Sequence, residues 1–377
     1  MRKDDHVFHL EEDFHSKDRK IHRKERKIAT DRDRSQFKKT DQDQLKKQLQ
    51  QNPIDAKEHL LRGRIIAIVP EGIIVESEGK EWICSLKGAL KQIKTRMKNL
   101  VAVGDFVRFE PSMTNLGSIA LVEERFSILS RADNLCRNKE QLIAVNVDQV
   151  LITCSLFIPL LKPFLIDRYI IAAIKGNMKP VIVLNKIDFL SHPPEGIDAE
   201  MIAKEKALYE EFVATYTALD IPVISVSSVT LEGLDALKAI MQGKVSVFSG
   251  QSGVGKSSLI NFIASTSLAI GPIVQSTRKG SHTTTTTQLI PLGSGGFCID
   301  TPGIKSFGLW DLEPHDLASY YSEITDLSPK CRYRNCSHIN EPQCAVQQAA
   351  ETGAISPLRF ASYCALIASL SEEHRHR

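Results

Sequence analysis

The 377-residue chain has no run of apolar residues long enough to cross a bilayer. Its longest, Val150 to Leu161, is broken by Thr153, Ser155 and Pro159 and falls short of the roughly 18 residues a span requires, so no membrane partner is expected. Charges rather than an apolar segment follow Met1, and no secretion leader is expected. Cysteine is scarce, with eight in the whole chain. Without a leader, these read as reduced thiols of a cytoplasmic protein, which excludes a disulfide framework. Net charge is nearly absent too. Lys and Arg number 48 against 45 Asp and Glu, so whole-chain charge names no partner until it is divided by region. What is present is apolar residue content of 42%, enough for two or three packed domains and too much for a wholly disordered or fibrous protein.

Charge divides unevenly. Residues 1 to 50 hold 15 Lys or Arg and 11 Asp or Glu, and over 1–57 only Phe8, Phe14 and Phe37 are aromatic. Too little apolar surface is available there to offset the entropy of ordering, so 1–57 is expected to be a disordered charged tail. From Leu61 short alternating segments follow one another, among them Gly63 to Val69, Gly72 to Glu76, Glu81 to Leu86, Gly104 to Phe109 and Ser118 to Val122. This pattern predicts five strands closing a small barrel over 58–129, of the oligonucleotide-binding (OB) type. A basic connection, Lys87, Lys91, Lys94, Arg96 and Lys98, contains no acid. It reads either as a solvated face or as an RNA-binding loop, the place where such barrels grip a phosphate backbone.

Over 130–311 strand and helix patterns alternate, which predicts a parallel sheet covered by helices. The last segment, 312–377, carries a cysteine-rich patch and a helix opening at Ser356-Pro357, where Pro fits the first turn. The expected class is multidomain α+β: an OB barrel, an α/β phosphate-loop domain and a C-terminal metal-binding domain.

Gly250-Gln251-Ser252-Gly253-Val254-Gly255-Lys256-Ser257 satisfies GxxxxGK[ST] between an apolar run and a helical one opening at Ser258. Its glycines let backbone N–H groups converge on phosphates, Lys256 neutralises the β and γ oxygens, and the Ser257 hydroxyl ligates Mg²⁺. Asn185-Lys186-Ile187-Asp188 follows another apolar strand. The Asp188 carboxylate can accept from the two N–H donors of guanine's pairing edge, a pair that adenine lacks. Ser225-Val226-Ser227-Ser228 suits the loop that supports the base, with Ser227 and Ser228 as contacts. Asp300-Thr301-Pro302-Gly303 matches DxxG, in which Asp300 holds Mg²⁺ through water and the Gly303 N–H meets the γ-phosphate. Ile304 stands where a water-positioning Gln is usual. Upstream, Gly280-Ser281-His282 precedes Thr283 to Thr287. Thr284 or Thr285 is the expected Mg²⁺ ligand, and His282 the residue that orients the attacking water.

The order is unusual. Asn185 to Asp188 and Ser225 to Ser228 precede Gly250, whereas ordinary GTPases place them last; the domain is circularly permuted, and the DxxG loop leads directly into the C-terminal region. There, Cys331-x4-Cys336-x-His338-x5-Cys344 offers four soft ligands, a tetrahedral set for one Zn²⁺. Cys84, Cys136, Cys154, Cys298 and Cys364 stand singly on apolar segments and read as core.

With Gly63-Arg64, Asn146 to Gln149, Asp167-Arg168-Tyr169 and the motifs above all in order, residues 60 to 370 resemble the RsgA (YjeQ) family of circularly permuted GTPases. The resemblance implies GTP and GDP as ligands, late maturation of the small (30S) ribosomal subunit as the task, and ribosomal RNA clasped by the barrel and the zinc domain. It also implies slow hydrolysis that the subunit stimulates. A cytoplasmic monomer is expected. Ser281 replaces the family's usual Arg before His282, which implies weaker switch positioning. The alternative is a nucleotide-gated RNA-binding scaffold whose hydrolysis is vestigial.

Overall fold

Along Leu61–Val69 (β1) burial alternates, with Gly63, Ile65 and Ala67 inward and Arg62 outward, the period of a strand with one face on a core. The computed structural model describes residues 60–91, 99–112, 114–132, 140–265, 287–300 and 312–375. The expected tail over 1–57 lies outside them. After β1 come β2 (Gly72–Ser77), β3 (Lys80–Leu86), β4 (Phe106–Pro111) and β5 (Leu116–Val122). Pairing runs β1–β2–β3 antiparallel, β3–β5 parallel, β5–β4 antiparallel, and β4 back to β1. That closes a five-stranded barrel of the OB type and removes its edges. Ile65, Val75, Val107, Phe109 and Ile119 fill it. A Cβ at Gly117 would stand 2.8 Å from both the Cys84 sulfur and the Phe109 ring, so the small lumen needs glycine there.

A hairpin of β6 (Ile128–Ala132) and β7 (Glu140–Val145) follows as a separate two-stranded sheet. Asn146, fully buried with a left-handed backbone, ties hairpin to barrel. Its side-chain amide donates to the Gly104 carbonyl at 3.0 Å and its side-chain oxygen accepts from the Phe126 N–H at 3.0 Å.

Next comes the α/β layer. Its strands are β8 (Gln149–Ser155), β9 (Lys179–Asn185), β10 (Val223–Ser225), β11 (Val245–Gly250), β12 (Gln288–Pro291) and β13 (Phe297–Asp300). They lie in the order β10-β9-β8-β11-β13-β12, all parallel except β12. Every residue of β8 and β11 is buried, as central parallel strands covered on both faces must be. Helices α1 (Pro163–Lys175), α2 (Ala199–Ala218), α3 (Leu234–Met241) and α4 (Lys256–Ser265) cover the sheet. Proline opens α1, and the Asp198 carboxylate caps α2 by accepting from the Met201 N–H at 2.7 Å. One core packs Ile152, Leu184, Phe212 and Tyr216. Another, with Leu151, Val183, Phe248 and Leu259, fills the opposite face. Strand β12 also pairs antiparallel with β1, Ala67 opposite Gln288, so barrel and α/β sheet are one continuous ladder.

The C-terminal unit is helical turns with α5 (Ala345–Glu351) and α6 (Pro357–Arg375), around Leu317, Tyr321, Val346, Tyr363 and Leu366. It docks on α1 through a buried polar hub. Asp167, with no exposure, accepts from Arg359, from Tyr216 Oη at 2.7 Å and from Tyr321 Oη at 3.3 Å. Arg359 lies over the Tyr321 ring at 4.1 Å and donates to Glu323 at 2.7 Å. Among the described residues no helix is long and apolar enough to cross a membrane.

Candidate nucleotide and metal sites

The loop between β11 and α4 carries the phosphate-binding sequence, and its glycines are there for backbone reasons. Gly250, Gly253 and Gly255 have φ of 138°, 84° and 93°, a region that side chains avoid. A Cβ on Gly250 would also overlap the Thr153 carbonyl, and one on Gly255 the Asn185 amide. Val254, 1% exposed, pins the loop to the core. Lys256 Nζ donates to the Gly250 and Gln251 carbonyls, each at 2.7 Å. Burial pulls its pKa down, a cost that an arriving phosphate would offset. Ser257 and Ser258 are exposed on the first turn of α4, whose free N–H groups and dipole favour an anion.

On the base side, Asn185 is fully buried at the end of β9. Its Nδ2 donates to the Val254 carbonyl at 2.9 Å, and its Oδ1 accepts from the Ser228 N–H at 3.2 Å. Lys186, with φ of 65°, donates from Nζ to the Ile158 carbonyl at 2.6 Å and the Gly253 carbonyl at 2.8 Å. Asp188 Oδ1 accepts from Ser227 Oγ at 2.6 Å, and that same hydroxyl oxygen accepts from the Val229 and Thr230 N–H groups at 3.2 and 3.0 Å. Ser227 therefore orients Asp188 through its hydroxyl. The geometry joins three segments that are far apart in sequence, the Asn185 to Asp188 run, the Ser227-Ser228 loop and the phosphate loop.

Two supporting groups had no sequence signal. The Ile158 carbonyl belongs to a backbone position without a motif. Glu205 of α2, 4% exposed, accepts from the Phe157 and Leu161 N–H groups and so holds that loop from below. Burial pushes its pKa up. In sequence it reads as one more acid on a charged helix.

Asp300 ends β13 opposite Gln288 of β12, and Ile299 pairs with Val247 of β11. That places Asp300 at the same end of the sheet as Gly250. His282, Thr284, Thr285 and Gly303 lie outside the described residues, as do Lys94, Arg96 and Lys98. Of the remaining basic positions, Lys91 closes the short turn Gly88–Lys91. Lys87 pairs with Glu110 at 2.7 Å, so an acid distant in sequence faces a loop that contains none.

Cys331, Cys336, His338 and Cys344 bring their ligand atoms within 4.8 Å of one another. His338 Nδ1 lies 3.4 Å from the Cys344 sulfur and 3.6 Å from the Cys331 sulfur, and those two sulfurs are 3.8 Å apart. A tetrahedron with metal–ligand bonds of about 2.0–2.3 Å has edges of about 3.3–3.8 Å, so Cys331, His338 and Cys344 stand at the spacing zinc requires, with the Cys336 sulfur within 4.8 Å of them as the fourth donor. Ser328 Oγ holds His338 Nε2 at 3.1 Å, which leaves Nδ1 for the cluster. Burial lowers the His338 pKa and pushes the Cys336 thiol up to about 12. Glu341 organises the intervening turn by accepting from the Ser337, Ile339 and Asn340 N–H groups, and those bonds lower its pKa to about 2.

Known proteins resemble the chain over most of its length. A family model described as RsgA GTPase matches residues 122–310. The small ribosomal subunit biogenesis GTPase RsgA of Shewanella oneidensis is 36% identical over 317 residues, covering 84% of this chain and 85% of the relative. The protein of the same name from Chlorobaculum tepidum is 39% identical over 323 residues, covering 83% and 99%. Among solved structures, YjeQ from Thermotoga maritima superposes with a TM-score of 0.64 at 30% identity, over 82% of this chain and 98% of that one. YloQ, a circularly permuted GTPase, gives 0.62 at 27% identity, over 84% and 97%.

Proposed function

The chain belongs to the RsgA GTPase family and is a GTP-hydrolysing factor of small (30S) ribosomal subunit biogenesis, and we propose that the site described above is where it binds and cleaves GTP. The observation that supports this most is the pair of bonds made by Asn185. They lock the guanine-reading run and the base-support loop onto the phosphate loop, although the chain delivers these parts in permuted order. The scaffold alternative is not favoured, because the relatives are named GTPases.

In this reading Asp188, held by Ser227, accepts from guanine's two N–H donors, and the Ser228 loop backs the base. Lys186 clamps the phosphate loop from outside. Lys256 leaves its carbonyl partners for the β and γ oxygens, and the loop and α4 N–H groups take the remaining phosphate charge. Ser257, Asp300 and Thr284 or Thr285 would hold Mg²⁺, which when bound supplies neutralising charge at the phosphates. The Gly303 N–H meets the γ-phosphate, and His282 orients water in place of the missing glutamine. One zinc, held by Cys331, Cys336, His338 and Cys344, would fix the C-terminal turn. Lys91, Lys94, Arg96 and Lys98, with the zinc unit, contact ribosomal RNA, while Lys87 contributes less because of Glu110. The protein acts as a cytoplasmic monomer.

Measuring GTP turnover with and without purified small ribosomal subunits tests the assignment. Turnover that rises with subunits supports it, and no GTP cleavage in either condition contradicts it. Base reading has its own check. Asp188→Asn should weaken GTP by about 10- to 100-fold, the value of a hydrogen bond to a charged group. It should favour xanthosine triphosphate, which has an acceptor where guanine has its amino group. Tight ATP binding by the unmodified protein would contradict the role given to Asp188.

A further inference from the structure

The β12–β13 hairpin carries Asp300, the carboxylate assigned to the Mg²⁺ side of the nucleotide site. Strand β12 follows directly on Thr283 to Thr287 in sequence, and β13 ends at Asp300. Among the described residues β1 is the barrel strand that pairs with this hairpin, through β12. At one end Ala67, Gln288 and Asp300 stand in one row across β1, β12 and β13. Behind that row β1 turns into the barrel, where Arg64 stands opposite Phe106 of β4 on one side and Glu76 of β2 on the other. From there its side chain reaches back to the hairpin: the Arg64 guanidinium lies 5.1 Å from the centre of the Phe297 ring.

Arg64 is also held from the other side. Its guanidinium lies 4.9 Å from the ring of Phe106 on β4, which places it between a barrel aromatic and an α/β-domain aromatic. Nη2 donates to the Asn146 carbonyl at 3.0 Å, at the residue that joins barrel and hairpin. Its Nε is buried without a hydrogen-bond partner among the described residues, and burial lowers the guanidinium pKa against the pull of Asp148 and Glu76. A planar cation stacked on rings gains energy that a point charge does not. A surface arginine serving only solubility would not be desolvated in this way.

We propose that Arg64 is a positioning residue for GTP hydrolysis: by gripping Phe297 it fixes the β12–β13 hairpin against barrel strand β1, so that the orientation of the barrel sets the placement of Asp300. The inference rests on the reading of Asp300 as the Mg²⁺-side carboxylate. It goes beyond the site itself by giving a barrel seated on RNA a physical route to the chemistry. Linkage requires the reverse as well, so that a nucleotide that settles Asp300 biases the barrel.

Arg64→Met keeps the length and apolar body of the side chain but removes the planar cation. Arg64→Lys keeps charge alone, and Phe297→Leu removes the ring from the other partner. For each full-length variant, basal and subunit-stimulated GTP turnover are measured, together with the Mg²⁺ concentration at half-maximal GTP binding in the free protein. Arg64→Met and Phe297→Leu are expected to keep basal turnover within about twofold, to lose at least tenfold in the ratio of stimulated to basal turnover, and to need at least threefold more Mg²⁺. Arg64→Lys is expected to recover part of both. A merely structural role would lower the melting temperature of both variants and leave the ratio and the Mg²⁺ midpoint where they were, which overturns the proposal. If the unmodified protein shows no stimulation, subunit activation is wrong, and the Mg²⁺ midpoint decides alone: a threefold shift supports positioning by Arg64, and no shift overturns it.

Discussion

Two units are fastened to the same α/β domain by different physics. The C-terminal unit is held by Asp167 and Arg359, 0% and 4% exposed, with Tyr216, Tyr321 and Ser362 also bonding the carboxylate. The barrel is joined by the β1–β12 pairing, by backbone and amide bonds with the β6–β7 hairpin through Val103, Asn99 and Asn146, and by a partly buried arginine between two rings. A buried, multiply bonded ion pair has one acceptable geometry, and breaking it strands a charge. A guanidinium held between two rings carries a displacement from one to the other without stranding a buried charge. The first joint is suited to rigidity and the second to transmission, so nucleotide state is expected to be felt at the barrel more than at the metal-binding turn.

The largest effect should come from breaking the rigid joint. Arg359→Ala leaves Asp167 buried without its cation, and a loss of about 3–5 kcal/mol in stability is expected by calorimetry or denaturant titration. A loss under 1 kcal/mol would put the two joints on an equal footing. A smaller effect, confined to one unit, is expected from Cys336→Ser. Metal analysis should fall from one zinc per chain to none, and proteolysis should find the 331–344 turn, while GTP affinity stays within about twofold because the cluster lies outside the nucleotide fold. Full zinc content in that variant would remove Cys336 from the ligand set. The smallest effect tests whether charges on the barrel rim matter. Arg62 pairs with Glu123 at 2.9 Å but is 53% exposed, so Arg62→Ala should cost less than about 1 kcal/mol and leave stimulated turnover unchanged. A loss as large as that of Arg64→Met would move the barrel joint to the rim.

What was legible in the sequence follows the same division. The phosphate loop, Asn185 to Asp188 and the Cys-His cluster could be read because each needs fixed residue types at fixed spacing: Gly250 and Gly255 where no Cβ fits, and four donors close enough to share one metal. Five barrel strands were legible from alternation, and so was the parallel sheet. Closure into a small barrel was expected from the number and shortness of those strands, but the parallel β3–β5 pairing that achieves it was not, because it leaves no local signature. Nor were the joints. Asp167 and Arg359 are 192 positions apart, and Arg64, Ser328 and Glu205 carry ordinary polar identities whose meaning lies in distant partners. The bond between Ser227 and Asp188 was not legible either, because only the fold brings the two side chains together. Likewise Lys87 belongs to an all-basic stretch until β4 brings Glu110 beside it.

Amide hydrogen exchange of the full chain, loaded with GDP and then with a non-hydrolysable GTP analogue and Mg²⁺, compares the two joints most directly. The account predicts that protection along β1 and β12 changes between the two nucleotides, while the amides around Asp167 in α1 and Arg359 in α6 stay as they were. Equal changes at both joints, or a change at α6 with none in β1, would contradict it.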